Sequence, residues 1–162
     1  MLSYRESVCY CMHVRGFTMH ASSKVTHRGT FAGIAEKLDY LQEIGITTVE
    51  LQPVYEFDET PEEVNTKTSA DIVATAGENG AELPGYRVLN YWGYREGFYY
   101  APKAAYAAEE DAALEFRQLV KEFHKRRMEV ILQFYFPKGM DVTEIGNILR
   151  FWVLTYHVDG FH

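Results

Sequence analysis

The eight residues EVILQFYF at positions 129–136 are almost all apolar. An unbroken run of this length is typical of a strand in a parallel sheet, which is buried on both faces. Pro137 and Gly139 end the run, and Asp141 with Glu144 forms a capping-box pattern at the start of a helix. That helix has an apolar stripe at helical spacing, made of Ile145, Ile148, Leu149, Trp152, Val153 and Tyr156. His157–Phe161 then predicts the beginning of a fourth strand.

The same alternation of strand and helix precedes this run. Val8–Val14 and Thr47–Val54 predict the first two strands. Thr30 is a candidate N-cap and Gly45 a candidate C-terminal glycine for one helix between them, with the stripe Phe31, Ile34, Ala35, Leu38, Leu41 and Ile44. A further helix before the third strand has the stripe Ala113, Phe116, Leu119, Val120 and Phe123. This order predicts an α/β protein with a parallel sheet, which is either an open doubly wound sheet or part of a (β/α)8 barrel.

Composition excludes several classes of protein. The 162 residues are 47% hydrophobic and 24% charged, which is typical of a globular domain and not of a disordered chain. The net charge of −7 at pH 7 disfavours binding to nucleic-acid phosphates. No apolar run approaches the roughly 18 residues that a membrane span needs, and residues 1–6 resemble no signal peptide, so we predict no membrane partner and a cytoplasmic location.

The two cysteines are the candidates for metal or disulfide chemistry. Cys9 and Cys11 stand two residues apart and would share one face of a strand with His13. A spacing of roughly 6.5–7 Å with parallel side chains disfavours a disulfide. Three ligands are one fewer than a structural zinc site needs. We therefore predict buried, free cysteines that pack as small hydrophobic residues, with no metal site and no cofactor.

The longest connection, residues 55–103, lies at the carboxyl end of the predicted sheet, where such folds bind their ligands. Its acidic part, residues 56–82, contains eight acids and the single base Lys67, and is expected to be a solvated insertion over about residues 56–85. Asn90-Tyr91-Trp92-Gly93-Tyr94 follows this insertion. Exposed aromatic rings there suit the apolar faces of a sugar, with Asn90 for its hydroxyls. Alternatively, the same rings only pack the loop against the rim of the sheet.

Several motifs, in order, resemble one enzyme family. Residues 10–18 (YCMHVRGFT) look like the first-strand signature of isoamylases, type I pullulanases and glycogen debranching enzymes of the α-amylase family, glycoside hydrolase family 13. Residues 45–54 resemble that family's second strand, residues 90–94 with Tyr100–Pro102 its following loop, and residues 116–124 the helix before its third strand. The similarity runs from about residue 8 to residue 162, except for the acidic insertion.

The resemblance implies that residues 1–162 are the N-terminal part of a (β/α)8 catalytic barrel, with three β/α units and the start of a fourth strand. Members of the family cleave α-glucan with retention, using an aspartate nucleophile and a glutamate acid/base. The family places these groups after the fourth and fifth strands, at positions that this sequence does not include. We therefore assign no catalytic residue and predict that the chain alone is inactive.

The implied sugar-binding positions depart from the family pattern. Gln133 stands where the family has Asp, Lys138 where it has His, and His162 where it has the Arg of Asp-Gly-Phe-Arg. Tyr94 matches the tyrosine that stacks on the sugar. The predicted substrate-binding residues are Asn90, Trp92, Tyr94, Gln133, Lys138 and His162, and the predicted partner is an α-glucan or maltooligosaccharide.

Three hypotheses about function stay open at this point. The first is part of a debranching-type glycoside hydrolase acting on glycogen or starch. The second is a non-catalytic α-glucan-binding or scaffolding relative, which the altered polar positions favour. The third, an unrelated doubly wound binding module, is disfavoured because no glycine-rich phosphate loop follows the first strand. The partial barrel would also leave open strand edges, which predicts self-association.

Overall fold

The structure is a computed structural model that describes residues 6–60 and 89–162. The chain divides into two units, one made of Met1–Phe57 with Trp92–His162 and the other of Asp58–Tyr91. Most of the predicted acidic insertion, residues 61–85, lies outside the described residues. Within the described ranges, no helix is long and apolar enough to cross a membrane.

The first unit is built on a parallel sheet. Its strands, with those of a small hairpin, are β1 (Cys9–Met12), β2 (Thr48–Leu51), β3 (Tyr55–Glu56), β4 (Phe98–Pro102), β5 (Glu129–Leu132) and β6 (Gly160–Phe161). The four-stranded sheet has the order β1-β2-β5-β6 and is parallel throughout, while β3 and β4 pair antiparallel. The predicted four parallel strands are confirmed, although each is shorter than its apolar run.

Helices connect the strands of the parallel sheet. They are α1 (Val14–Met19), α2 (Phe31–Ala35), α3 (Leu38–Glu43), α4 (Ala112–Lys125) and α5 (Val142–Tyr156). Successive strands are neighbours in space, and right-handed crossovers that advance in one direction put all the helices on the same face of the sheet. This is the winding of a (β/α)8 barrel, whereas a doubly wound sheet reverses its strand order. The structure therefore decides between the two predicted architectures and confirms a partial barrel.

The core lies between the sheet and these helices. Because side chains alternate along a strand, Val49 and Leu51 on β2 and Val130 and Leu132 on β5 all face the helices, and all four are fully buried. The predicted stripe of α4 packs there through Phe116, Leu119, Val120 and Phe123, and that of α5 through Ile148, Trp152 and Tyr156. Val153 is exposed, in contrast to its place in the predicted stripe.

Local capping signals fix most of the helix ends. Thr30 accepts a hydrogen bond from the Gly33 N–H at 3.1 Å, as an N-cap does, and Gly45 follows α3 with φ +83°. Asp141 caps α5 by accepting from the Thr143 N–H at 3.1 Å. The predicted capping box is only half present, because the carboxylate of Glu144 accepts from the Tyr100 hydroxyl at 2.7 Å.

Two helical segments differ from the prediction. The predicted single helix of residues 31–44 is broken between α2 and α3, where Glu36 accepts backbone N–H bonds from Thr26 at 2.8 Å and His27 at 3.0 Å and so ties the end of α2 to the preceding loop. Residues 14–19 form α1, although Val14 was predicted to end the first strand and no helix was predicted after it. A six-residue helix buries only Val14 and Thr18, which is too little to produce a visible apolar stripe.

The third apolar run extends beyond the end of its strand at Leu132. Beyond β5, Phe134 stacks on Tyr55 with ring centroids 5.2 Å apart and on Phe136 at 5.5 Å. These rings join the sheet to the β3–β4 hairpin, whose base is held by buried Lys103. The Lys103 ammonium donates to the Glu56 carboxylate at 3.0 Å and to the Phe57 carbonyl at 2.8 Å. The Gln133 and Phe134 N–H groups still donate to the Leu51 and His162 carbonyls, at 2.9 and 3.1 Å. The apolar character of residues 134–136 therefore reflects the packing of their rings against the hairpin, at the point where pairing in the sheet ends.

Candidate functional site

A cluster of polar side chains lies on the open face of the sheet, at the carboxyl ends of its strands. Its centre is Glu50, in β2, whose side chain is 16% exposed. Gln133 follows β5 and donates its Nε2–H to Glu50 Oε1 at 2.5 Å. His162 follows β6, and its Nδ1 lies 2.5 Å from the same oxygen. Glu50 thus joins three neighbouring strands through their side chains.

The first strand contributes its two thiols to the same face. Cys9 Sγ lies 3.8 Å from Glu50 Oε2, and Cys11 Sγ lies 3.6 Å from Gln133 Nε2. Both cysteines are exposed and free, so the prediction of buried cysteines is wrong. The reason is that the helices cover only the other face of the sheet. We call the residues Cys9, Cys11, Glu50, Gln133 and His162 the open-face cluster.

Tyr94 reaches this cluster from the loop before β4. Its hydroxyl donates a short hydrogen bond to Gln133 Oε1, and its ring is 42% exposed. The turn before it requires glycine, because Gly93 has φ +77° and a Cβ there would lie 2.4 Å from the Phe57 ring. The Tyr55 hydroxyl lies within hydrogen-bond distance of the Gly93 carbonyl at 3.0 Å and of the Arg95 carbonyl at 2.7 Å. The loop that carries Tyr94 is therefore fixed on both sides of that residue.

Trp92 lies two residues before Tyr94 on the same loop and is 54% exposed. It meets buried His13 edge to face, with ring centroids 5.8 Å apart. His13 Nδ1 accepts from the Gly16 N–H at 3.1 Å, and its Nε2 lies 3.1 Å from the Tyr106 hydroxyl. Trp92 and Tyr94 are thus both in contact with the protein and about half exposed, which leaves ring surface for flat apolar ligands.

The open-face cluster is anionic at its centre. Burial opposes ionisation of Glu50, but hydrogen bonds from Gln133 and His162 outweigh it and hold the pKa of Glu50 below its ordinary value. Partial desolvation by the neighbouring side chains and the nearby Glu50 charge raise the pKa of the Cys9 and Cys11 thiols, although both residues are exposed. Burial likewise raises the pKa of Tyr94. At neutral pH the site therefore contains one carboxylate, two thiols and a neutral phenol.

The structure brings together three of the six predicted sugar-binding residues. Tyr94, Gln133 and His162 meet around Glu50, and Trp92 lies beside His13. Lys138 is exposed in the turn after β5 and has no hydrogen bond or ion pair to another described residue. Asn90 belongs to the second unit, where its Nδ2 donates to the Asp58 carbonyl at 3.1 Å.

The strand pattern predicted that His13 shares a face with the two cysteines, and this prediction is wrong. It lies beyond the end of β1, where its ring caps α1. No group of three or more His, Cys, Asp or Glu side chains in the described parts of the chain has the geometry to hold a metal ion.

Glu50 is the site residue that sequence reasoning missed. It stands inside the apolar run TTVELQPV, between Val49 and Leu51. A lone carboxylate at the centre of a strand whose neighbours are apolar was the available signal, since a buried charge needs partners. Those partners lie 83 and 112 residues away along the chain, which no local pattern reveals.

Strands in sequential order, helices on one face and a polar site at the carboxyl ends define part of a (β/α)8 barrel. The chain belongs to the α-amylase catalytic-domain family: the family described as "Alpha amylase, catalytic domain" matches residues 15–139. The predicted resemblance to this family is confirmed.

Curated relatives place the chain in the debranching branch of that family. It is 38% identical over 156 residues to isoamylase 1, chloroplastic, of Arabidopsis thaliana, covering 93% of this chain and 18% of the relative. It is 30% identical over 154 residues to the glycogen operon protein GlgX homolog of Mycobacterium tuberculosis, covering 91% and 19%. The chain thus spans less than a fifth of the length of either relative.

Solved structures show the same fold. A pullulanase from Paenibacillus barengoltzii in complex with maltohexaose and α-cyclodextrin superposes with a TM-score of 0.72 at 21% identity, over 99% of this chain and 31% of that one. A product complex of the glycogen-degrading pneumococcal virulence factor SpuA superposes with a TM-score of 0.71 at 25% identity, over 99% and 20%.

Proposed function

We propose that residues 1–162 form the N-terminal part of the catalytic barrel of a debranching-type glycoside hydrolase that acts on α-glucan such as glycogen or starch. One observation carries this proposal: the exposed ring of Tyr94 is anchored by its hydroxyl at the carboxyl ends of the strands, with the exposed ring of Trp92 on the same loop. Related proteins support it, since their names include isoamylase, glycogen operon protein and a pullulanase in complex with maltohexaose.

In this proposal the rings of Trp92 and Tyr94 stack on the apolar faces of glucose units. Gln133 and His162 contact the hydroxyls of the glucose on Tyr94, and Lys138 binds a further glucose. For Asn90, which belongs to the second unit, glucan binding stays a prediction from the sequence. Retaining cleavage needs two carboxyl groups about 5–5.5 Å apart across the scissile bond. Glu50 is engaged by Gln133 and His162 and is assigned no part in cleavage. The chain alone is therefore expected to bind glucan without cleaving it.

The second candidate is a non-catalytic α-glucan-binding or scaffolding relative. The observation that favours it is the mutual satisfaction of the polar groups: Gln133 uses both ends of its amide on Tyr94 and Glu50, and His162 Nδ1 is engaged by Glu50. A site in which these groups bind one another offers fewer polar atoms to a reacting sugar than a site with free groups.

Titration with maltohexaose, followed by tryptophan fluorescence, tests glucan binding. Trp152 is buried in the core, so a change in emission reports on Trp92. We expect saturable quenching, and we expect Tyr94→Ala to weaken binding about three- to tenfold, because an aromatic contact contributes about 0.5–1.5 kcal/mol. Tyr40→Ala is the matched control, since Tyr40 is a tyrosine of similar exposure on α3, 50% against 42% for Tyr94.

An unchanged spectrum at millimolar maltohexaose, or a change that survives Tyr94→Ala, would contradict the stacking role. Release of reducing ends from glycogen by this chain would contradict the proposal that it does not cleave glucan. The same assay on a longer protein that contains this region separates the two candidates, because only the first predicts release. The cytoplasmic location stays a prediction, and the plant relatives are named chloroplastic.

A further inference from the structure

We infer that Glu50 is a positioning residue for the Tyr94 ring, and that it acts through the amide of Gln133. The inference deepens the proposed function, because it assumes that Tyr94 is a sugar-stacking residue. It rests on two consecutive hydrogen bonds, one from Gln133 Nε2 to Glu50 at 2.5 Å and one from the Tyr94 hydroxyl to Gln133 Oε1.

The chemistry of the three groups fixes the direction of both bonds. An ionised carboxylate only accepts hydrogen bonds, so Glu50 binds the NH₂ end of the Gln133 amide. The amide oxygen must then point the other way, toward Tyr94, where it only accepts. The Tyr94 hydroxyl is therefore the donor, and its proton is committed to the protein.

This arrangement has a consequence for the ligand. With its proton used, the Tyr94 oxygen accepts from a sugar hydroxyl but does not donate to one. The ring is also held at its outer end, so less rotational freedom is lost when a sugar stacks on it. Glu50 thus sets both the hydrogen-bonding polarity and the orientation of a ring that it does not touch.

In the described contacts, no other group near Glu50 connects it to the Tyr94 hydroxyl as Gln133 does. On β1, Cys9 lies 3.8 Å from Glu50 Oε2 and is a weak donor, while Cys11 faces Gln133. On β5, Glu129 lies two residues nearer the start of the strand than Ile131, the register partner of Glu50, and contacts Thr48. After β6, His162 contacts the same Glu50 oxygen as Gln133 does. Its side chain is 75% exposed, and it makes no hydrogen bond to the Tyr94 hydroxyl in the described contacts.

Exchanging the carboxylate of Glu50 and the amide of Gln133 between the two positions tests the inference. Gln133→Glu places a second carboxylate against Glu50, and we expect maltohexaose binding at pH 7 to weaken about tenfold. Affinity should recover as the pH falls and the pair takes up a proton. The double variant Glu50→Gln with Gln133→Glu restores one donor and one acceptor in reversed positions, so it should bind at pH 7 nearly as the unaltered chain does.

Tyr94→Phe supplies the control for a merely structural effect. In a Tyr94→Phe background the Gln133→Glu change should weaken binding clearly less than it does in the unaltered chain, and the difference between the two backgrounds measures the part that acts through the Tyr94 hydroxyl. Circular dichroism and the thermal midpoint of each variant establish that it is folded. Equal affinity of Gln133→Glu and the unaltered chain at pH 7 would overturn the inference while leaving glucan binding in place.

A measurement without ligand separates this inference from the proposed function. In protein labelled with ¹³C at tyrosine Cζ, Gln133→Glu should shift the Tyr94 signal at pH 7, the double variant should return it, and the Tyr40 signal should not move. If that pattern is seen but maltohexaose does not bind, the proposed function fails and the positioning contact stands. An unmoved Tyr94 signal overturns the inference whether or not glucan binds.

Discussion

The two faces of the parallel sheet differ more than any other two regions of the molecule. Toward the helices, Val49, Leu51, Val130 and Leu132 are fully buried. On the other face, the open-face cluster contains two exposed thiols, a carboxylate, an amide and an imidazole. Adjacent residues of one strand, such as Ile131 and Leu132, belong to the two different faces because side chains alternate.

The difference separates the residues that stabilise the fold from those that form the site. The buried face is apolar and packs against α4 and α5, which is where burial contributes to the free energy of folding. The open face uses its polar groups on one another, and among the described residues no buried side-chain nitrogen or oxygen lacks a hydrogen bond. Substitutions on the first face should therefore affect stability, and those on the second face should affect ligand binding.

The largest expected effect is on stability. Leu132→Ala removes a fully buried side chain from the helix-covered face, and we expect it to reduce the free energy of unfolding by about 2–5 kcal/mol. Its neighbour Ile131 faces the open side and is only partly buried, so Ile131→Ala should cost about 1 kcal/mol or less. Urea unfolding of the two variants measures the difference, and equal losses would contradict the division into two faces.

Self-association is the next largest expected effect. Within the described sheet, β1 and β6 each pair with only one strand, and such edges are templates for pairing with another chain. We expect light scattering to show a dimer or larger species at high protein concentration. A charge on the edge strand, Tyr10→Lys, should reduce it, whereas Tyr40→Lys on α3 should not. A monomer at all concentrations would contradict the prediction.

The smallest expected effect concerns the thiols of the open face. Because partial desolvation and the Glu50 charge raise the pKa of Cys9 and Cys11, less thiolate is present at pH 7 than in an ordinary thiol. We expect both cysteines to react several-fold more slowly with a disulfide reagent than they do in the urea-unfolded chain, and to accelerate as the pH rises.

Glu50→Gln removes the charge that disfavours the thiolates and should increase the rate at pH 7. Glu36→Gln is the matched control, since Glu36 lies at the end of α2 and binds Thr26 and His27 instead. If the two cysteines react at the same rate in the folded and in the unfolded chain, the prediction that their surroundings suppress the thiolate is contradicted.

The resemblance to the α-amylase family and the alternation of strands and helices were both predictable, because each depends on residues close together in sequence. The stripes of α4 and α5 and the caps Thr30 and Asp141 are examples. Helix α1 was not predictable in the same way, since its burial of Val14 and Thr18 depends on elements that are distant in the chain.

The site was predicted only in part, for the same reason. The candidates Tyr94, Gln133 and His162 came from their motifs, but nothing local indicated that they share Glu50. Tyr94 and Gln133 are 39 residues apart, and Glu50 is 83 residues from Gln133. Their contact depends on the register of β2 against β5, which aligns Glu50 with Ile131.

The sequence by itself determined the class of fold and the family of this protein, because apolar periodicity, turn residues and ordered motifs are carried by short segments of chain. The strand order of the tertiary structure confirmed the barrel that the motifs implied. Only the tertiary structure showed that the cysteines are exposed and that Glu50 lies at the centre of the site. Those features follow from strand order and from the face that each strand turns to the helices, and both are set by pairing between distant segments.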